Sequence, residues 1–249
     1  MLETISKHRS IRKFKPDAIS DSILTEILEA GTRASNTGNM QLYSVVVTKD
    51  KEIREKLWET HFKQNMVLQA PVHITICADV NRFHKWCELN QAPVSYDNFF
   101  WFINATIDAT LASQNICLEA ENNGLGICIL GTVLYNVDKI IEILELPKGV
   151  IPLTAIVLGY PDENPPLTDR LPLDAVVHYE KYKDYSPQAI EKLFFEKDNS
   201  EFYKNIVEEN GLKNLSLVFT ERRYPRASNI EKSEELLETL KKHGFFNHK

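Results

Sequence analysis

The chain has no excess of positive charge, no long apolar run and no cysteine pair at metal-ligand spacing. Its 249 residues carry a formal net charge of −6, which argues against a general nucleic-acid binder. The most apolar segment, residues 98–117, is interrupted by Asn104, Asp108, Ser113, Gln114 and Asn115. It is too polar for a membrane span and suits a buried helix. Met1-Leu2-Glu3-Thr4 lacks the charged start and apolar stretch of a secretory leader, so no signal peptide is expected. Cys77, Cys87, Cys117 and Cys128 have no C-x-x-C spacing, and no histidine completes a zinc set. They read as buried reduced thiols, which fit a cytoplasmic location, with no metal implied. There is no internal repeat, no glycine-rich dinucleotide loop and no nucleophile elbow with a Ser-His-Asp set. Catalysis here therefore need not use a side-chain nucleophile or a dedicated general base.

Against the acidic background stands a basic knot, His8-Arg9-Ser10-Ile11-Arg12-Lys13-Phe14. Residues 1–15 hold five Lys/Arg against one Glu. Arg9 and Arg12 are fork-shaped donors suited to phosphate, and Ser10 adds a hydroxyl. In an extended backbone Ser10 and Arg12 point to the same side. Taken alone, the run is equally a solvated basic stretch.

The composition, 43% hydrophobic and 26% charged, is that of an ordinary globular protein with one large domain or two small ones. Residues 2–8 can form a short helix with Leu2 and Ile5 on one face. Ser20 reads as the cap of a helix carrying Ile23, Leu24, Ile27 and Leu28, fading near Gly31. A polar loop follows, Ser35-Asn36-Thr37-Gly38-Asn39. Strands are expected at 45–47, 71–77, 127–130 and 154–158, and helices at 51–61, 98–122 and from an Asn136 cap through Leu144. Gly124 fits a left-handed helix terminus. Helices and strands thus interleave to about residue 160, while 185–230 are charged and weakly periodic. An amphipathic helix is expected at 229–242.

Four pieces then fall in order: the basic knot; the Ser/Asn/Thr loop ending in Gln41; Gly124-Leu125-Gly126 leading through a strand to Gly131-Thr132; and Leu158-Gly159-Tyr160-Pro161 before Leu167-Thr168-Asp169-Arg170-Leu171-Pro172. Gln64 with Gln69-Ala70, the run Cys77 to Arg82, and Leu146-Pro147 before Val150 to Leu153 fit the same order. The set resembles the FMN-dependent nitroreductase superfamily, most closely its NADPH nitroreductase/flavin reductase P group. The likeness runs over residues 1–183 and is weak over 184–249. It implies an α+β nitroreductase-like fold, a mixed sheet with surrounding helices, in an intertwined homodimer with FMN at the interface. The apolar helix 98–122 fits as a central dimer helix, ahead of the alternative of a monomer's core helix. Residues 1–183 would form the FMN-binding domain, and 184–249 an excursion or lid with a terminal helix of the same domain.

The resemblance also implies site residues. His8, Arg9 and Arg170 would clamp the FMN phosphate, where Thr168 stands at a position often basic in the family. Arg12 would sit against the ring and favour its reduced state, with Ser10 between phosphate and ribityl chain. Gln64 would be a ring or ribityl donor. Ser35, Asn36, Thr37 and Asn39, with Gln41, would reach the cofactor of the other subunit. Leu130, Gly131 and Thr132 would make backbone contact near flavin N5, where glycine permits close approach. Arg222, Arg223 and Arg226 would meet the phosphates of NADPH, or form a solvated basic surface. Trp86, Tyr96, Phe99, Phe100, Trp101 and Phe102 could line a pocket or pack the core.

The function so implied is ping-pong hydride transfer from NADPH or NADH to nitroaromatics, quinones or flavins. No membrane or nucleic-acid partner is expected. Competing readings are a reductase of enones or halogenated aromatics, a slow flavin-binding sensor or carrier, and a module that binds phosphorylated partners.

Overall fold

The computed structural model describes residues 1–248 as two compact units, Met1–Pro166 with the residues from Glu234 onward, and Leu167–Ser233. The first unit is built on one sheet, β1 (Tyr43–Thr48), β2 (Val72–Asp79), β3 (Gly126–Leu130) and β4 (Val150–Gly159), in the order β1-β2-β4-β3. All three pairings are antiparallel. The parallel element of this α+β fold is a bridge from Ser10 to Ile127 on edge strand β3, where the Ile11 amide donates to the Ile127 carbonyl at 2.8 Å. β4 starts earlier than its apolar run suggests. Pro152, which cannot donate to a ladder, pairs with Cys77 at a β-bulge between Ile76 and Cys77.

In chain order the helices are α1 (Glu3–Lys7), α2 (Asp21–Thr32), α3 (Lys51–Thr60), α4 (Met66–Gln69), α5 (Asn81–Leu89), α6 (Phe99–Asn122), α7 (Val137–Ile143), α8 (Pro187–Asn199), α9 (Glu201–Glu209), α10 (Leu215–Leu217) and α11 (Arg226–Lys242). Strand alternation divides the core into two layers. Ile74, Ile76, Ile156 and Leu158 pack with Ala105, Ala109, Ala112 and Ile116 of α6. Ala155, Val157, Cys128 and Leu130 pack on the other side with Ile11, Phe14, Leu57 and Ile140. The small residues of α6 let it lie close over the sheet. Asn98 caps its start, accepting from the Trp101 amide, and Gly124 at φ +76° ends it in the left-handed region. The knot is held against β3 by a close approach at Gly126, where a Cβ would lie 2.6 Å from Ile11.

Two expectations change. Asn136 precedes α7 but does not cap it with its side chain; its amide reaches back to the Thr60 carbonyl at 2.7 Å. The weakly periodic stretch 185–230 holds α8 and α9, capped by Ser186 and Ser200. Within the second unit Asp169 ties these together, accepting from Lys197 at 2.8 Å and from the Tyr203 hydroxyl at 2.7 Å. Among the described residues no helix is long and apolar enough to cross a membrane.

Candidate active site

The basic knot is anchored by its main chain. The Glu163 carboxylate accepts from the Arg12 amide at 2.5 Å and the Lys13 amide at 3.1 Å, while the Asp162 backbone amide donates to the Lys13 carbonyl at 2.9 Å. This leaves the Arg12 guanidinium, on an exposed residue, without a hydrogen bond or ion pair among the described residues. It lies close enough to Cys128 to oppose part of the upward push that burial gives that thiol. Burial drives Cys77 and Cys117 further, up to about 12, and all four cysteines are buried free thiols.

Alternation sends Arg9 and Ile11 into a cavity of about 430 Å³ shared with Lys7, Glu121, Gly126 and Asn164. Three carboxylates line it, and each is engaged elsewhere: Glu3 with Lys7, Glu121 with His8 at 2.7 Å, Glu163 with the knot's amides. Among the described residues Arg9 meets only the neutral amide oxygen of Asn164, and its Nε is buried without a partner. An unmatched cation with an unused donor suits an anion. Glu121, Glu163 and Asn164 were not foreseen as neighbours of the knot, because they lie more than a hundred residues away in sequence.

At the other end of β3 a second group assembles. Gly131 opens a 3-10 turn, Gly131–Tyr135, and is exposed, with nothing within 4 Å of where its Cβ would lie. Leu130 is buried just before it. The Thr132 hydroxyl lies 2.7 Å from His61 Nδ1. Gln64 joins the same residue, its amide donating to the His61 carbonyl at 3.0 Å. Phe62 and Lys63, at φ +54° and +57°, turn the chain through the left-handed region between them. Two such non-glycine residues in succession are uncommon, and strain of this kind concentrates at functional sites. His61 and its own neighbour His73 had no signal in the sequence.

The polar loop is shaped from beneath by Asp108, which is 1% exposed on α6. Its carboxylate accepts from the Thr37 amide at 2.8 Å and the Leu42 amide at 3.2 Å. Asn36 accepts from the Gln41 amide at 3.3 Å, and the Gln41 side chain donates to the Asn39 carbonyl at 3.1 Å. Ser35 is exposed with no side-chain bond among the described residues. Asp108 was visible in the sequence only as a charge inside an apolar helix. Asp108→Ala leaves two amides without their partner, and is expected to cost about 3 kcal/mol of unfolding free energy. Asp108→Asn keeps one acceptor oxygen and is expected to cost roughly half as much. Urea denaturation checks both; equal stability of the three proteins would show that the loop holds itself.

The remaining candidates lie in the second unit. Arg170 donates to the Thr168 hydroxyl at 2.7 Å and the Asp169 carbonyl at 2.9 Å. The Asp169 carboxylate is taken by Lys197, so Arg170 has no carboxylate partner among the described residues. Thr168 thus orients Arg170. Arg222 and Arg223 lie in a wide helical turn, Val218–Arg223, with Arg223 5.2 Å over the Phe219 ring, and Arg226 opens α11. The aromatic cluster, in the first unit, is mostly packing: Tyr96 meets Trp101 at 4.5 Å and Phe102 meets Phe245 at 5.3 Å, while Trp86 and Phe100 stay exposed.

The nitroreductase family profile matches residues 5–160. An NADPH-dependent oxidoreductase of Staphylococcus saprophyticus is 31% identical over 252 residues, covering 97% of this chain and 96% of the relative. A solved structure from Bacteroides fragilis superposes with a TM-score of 0.97 at 43% identity, over 99% of this chain and all of the other. The NADPH:FMN oxidoreductase from Vibrio harveyi, solved with NAD+, gives a TM-score of 0.82 at 27% identity, covering 99% and 98% of the two chains. Knot, strand and turn thus stand in a frame shared from end to end with these oxidoreductases, and the chain belongs to the nitroreductase family.

Proposed function

We propose that this chain is an FMN-dependent NAD(P)H oxidoreductase of the cytoplasm, working as a homodimer with NADPH as the natural donor. The observation that carries the reading is the layout along β3. The knot docks at Ile127 and the open turn starts at Gly131. The two are four residue steps apart along the strand, about 13 Å at roughly 3.3 Å per residue. One end offers unmatched guanidinium groups and the other a glycine with free space over it. That donor set fits an elongated cofactor with an anionic phosphate and a planar ring.

His8 and Arg9 would hold the phosphate, and the unmatched charge of Arg170 is available to an anion. Ser10 would meet the ribityl chain. Arg12 would place a fixed cation where negative charge develops on reduction. Gln64, Leu130, Gly131 and Thr132 would hold the ring edge, Gly131 by allowing close approach. Ser35, Asn36, Thr37 and Gln41 would complete the site of a second copy. Bound FMN supplies the two-electron hydride chemistry; the protein binds it, orients it and tunes it.

Donor and acceptor would use one open face in turn. The protein purified with flavin is expected to bleach on adding NADPH, and to give parallel double-reciprocal lines with a nitroaromatic or quinone acceptor. Intersecting lines would remove the shared face, and absence of flavin after reconstitution would remove the reading itself.

The dimer rests on α6. Phe100, Ile103, Ile107 and Leu111 share one helical face and are 41–67% exposed. Such a stripe on a long helix marks an association surface. Light scattering is expected to give twice the 28.6 kDa chain mass. Ile107→Glu puts a charge in that stripe and is expected to yield a monomer that has lost its flavin. A flavin-loaded monomeric wild type would refute the dimer.

A further inference from the structure

The functional reading leaves two buried titratable groups unused. His61 is fully buried and His73 is 1% exposed. Their rings stand 5.3 Å apart, with Nε2 facing Nε2 at 3.3 Å. The other nitrogen of His61 faces the Thr132 hydroxyl at 2.7 Å, and His73 Nδ1 is buried with no partner among the described residues. Burial pushes His61 down to about 4 and His73 to about 3, so both are neutral near pH 7, one N–H on each ring.

A chain of two neutral imidazoles ending on a hydroxyl has two arrangements. In one, Thr132 donates to His61 Nδ1, His61 Nε2 donates to His73 Nε2, and His73 keeps a buried N–H with no acceptor. In the other every hydrogen is reversed. His73 Nε2 donates to His61 Nε2, His61 Nδ1 donates to Thr132 Oγ1, and the unpaired atom at His73 Nδ1 is a bare lone pair. A buried N–H without an acceptor is the rarer and costlier defect, which selects the second arrangement. The Thr132 oxygen is then occupied as an acceptor, and its own hydrogen is left to donate elsewhere. No other bond to that hydroxyl is present among the described residues. Thr132 is half-buried beside exposed Gly131.

We propose that His61 and His73 are positioning residues that fix the Thr132 hydroxyl as a hydrogen-bond donor to the flavin edge lying over the Gly131–Thr132 turn. This rests on the FMN reading given above. Bound there, the flavin would present N5, which accepts a hydrogen bond when oxidised and becomes an N–H when reduced, so the donated bond would favour the oxidised cofactor.

Two measurements test it. Long-range proton–nitrogen NMR of protein labelled with 15N-histidine reads the tautomers with or without flavin. The expected result is Nδ1–H on His61 and Nε2–H on His73; Nε2–H on His61 would overturn the proposal even if flavin binds. On the holoprotein, Thr132→Val is expected to weaken binding of oxidised relative to reduced FMN about tenfold, a rise of about 30 mV in midpoint potential for a two-electron couple. Thr132→Ser should keep the wild-type potential. His61→Phe should rise as Thr132→Val does, and the double variant no further. An unchanged potential in Thr132→Val overturns the proposal, as does additivity in the double variant. Should His61→Phe not fold, the Val and Ser variants with the tautomers still decide. Correct tautomers in a protein that binds no flavin would sink the FMN reading instead.

Discussion

Arg12→Ala is expected to weaken FMN binding about a hundredfold and to make the bound flavin harder to reduce. The main chain of Arg12 is fixed by Glu163, while its guanidinium has no hydrogen bond or ion pair among the described residues. The side chain therefore contributes little to the fold, and the variant should fold normally. What it offers a ligand is large by comparison. A hydrogen bond to a charged group is worth about 1.5–3 kcal/mol, and about 2.7 kcal/mol is two decades of affinity. A cation held beside developing negative charge stabilises the reduced form more than the oxidised one. Losing about 1.4 kcal/mol of that difference lowers a two-electron potential by about 30 mV. Arg12→Lys keeps the charge but not the planar fork, so it should recover more of the potential than of the affinity. Fluorescence titration gives the affinity, and equilibration with a reference dye the potential. Wild-type values for Arg12→Ala in both would take Arg12 out of the site.

Much of this was legible because its signals are local. The span of α6 follows from an apolar run with Asn98 before it and Gly124 after it, and the structure has a helix at Phe99–Asn122. The apolar runs at 71–77 and 127–130 became β2 and β3 for the same reason. α8 and α9 do carry short apolar stripes, Ile190, Leu193 and Phe194 on one and Tyr203, Ile206 and Val207 on the other, but each spans barely two turns among charged residues and neither helix fully buries a residue. Asn136 carried a capping signal, but a contact with Thr60, 76 residues away, took its side chain instead. The basic knot was plain, yet which of its arginines are matched depends on Asn164 and Glu163, and no motif encodes those. His61 is the extreme case. Its partners are 12 and 71 residues away, and a lone histidine after a helix gives no hint of either.

That same pair should make the protein acid-labile well above the carboxylate range. In the unfolded chain both histidines titrate near 6.5, whereas in the fold burial holds His61 at about 4 and His73 at about 3, the latter pushed further by His61 and Arg54. Between those limits the unfolded state binds more protons than the folded one. Stability therefore rises with pH and is lost as pH falls from about 6.5 toward 4. Each histidine contributes a slope of up to about 1.4 kcal/mol per pH unit, so the pair approaches about 2.7 kcal/mol per unit between pH 4 and 6. His84 and His243 are also lowered by burial and act in the same direction. Against a total stability of about 5–15 kcal/mol, two pH units suffice to unfold a marginal chain. Urea denaturation from pH 4.5 to 7.5 should show this fall, and His73→Phe should flatten it by about 1.4 kcal/mol per unit. The variant would be less stable at pH 7, where it loses packing and the His61 contact, yet should lose less on acidification. A wild-type stability that stays level from pH 6.5 to 4.5 would mean that the two rings take up protons as readily in the fold as in water.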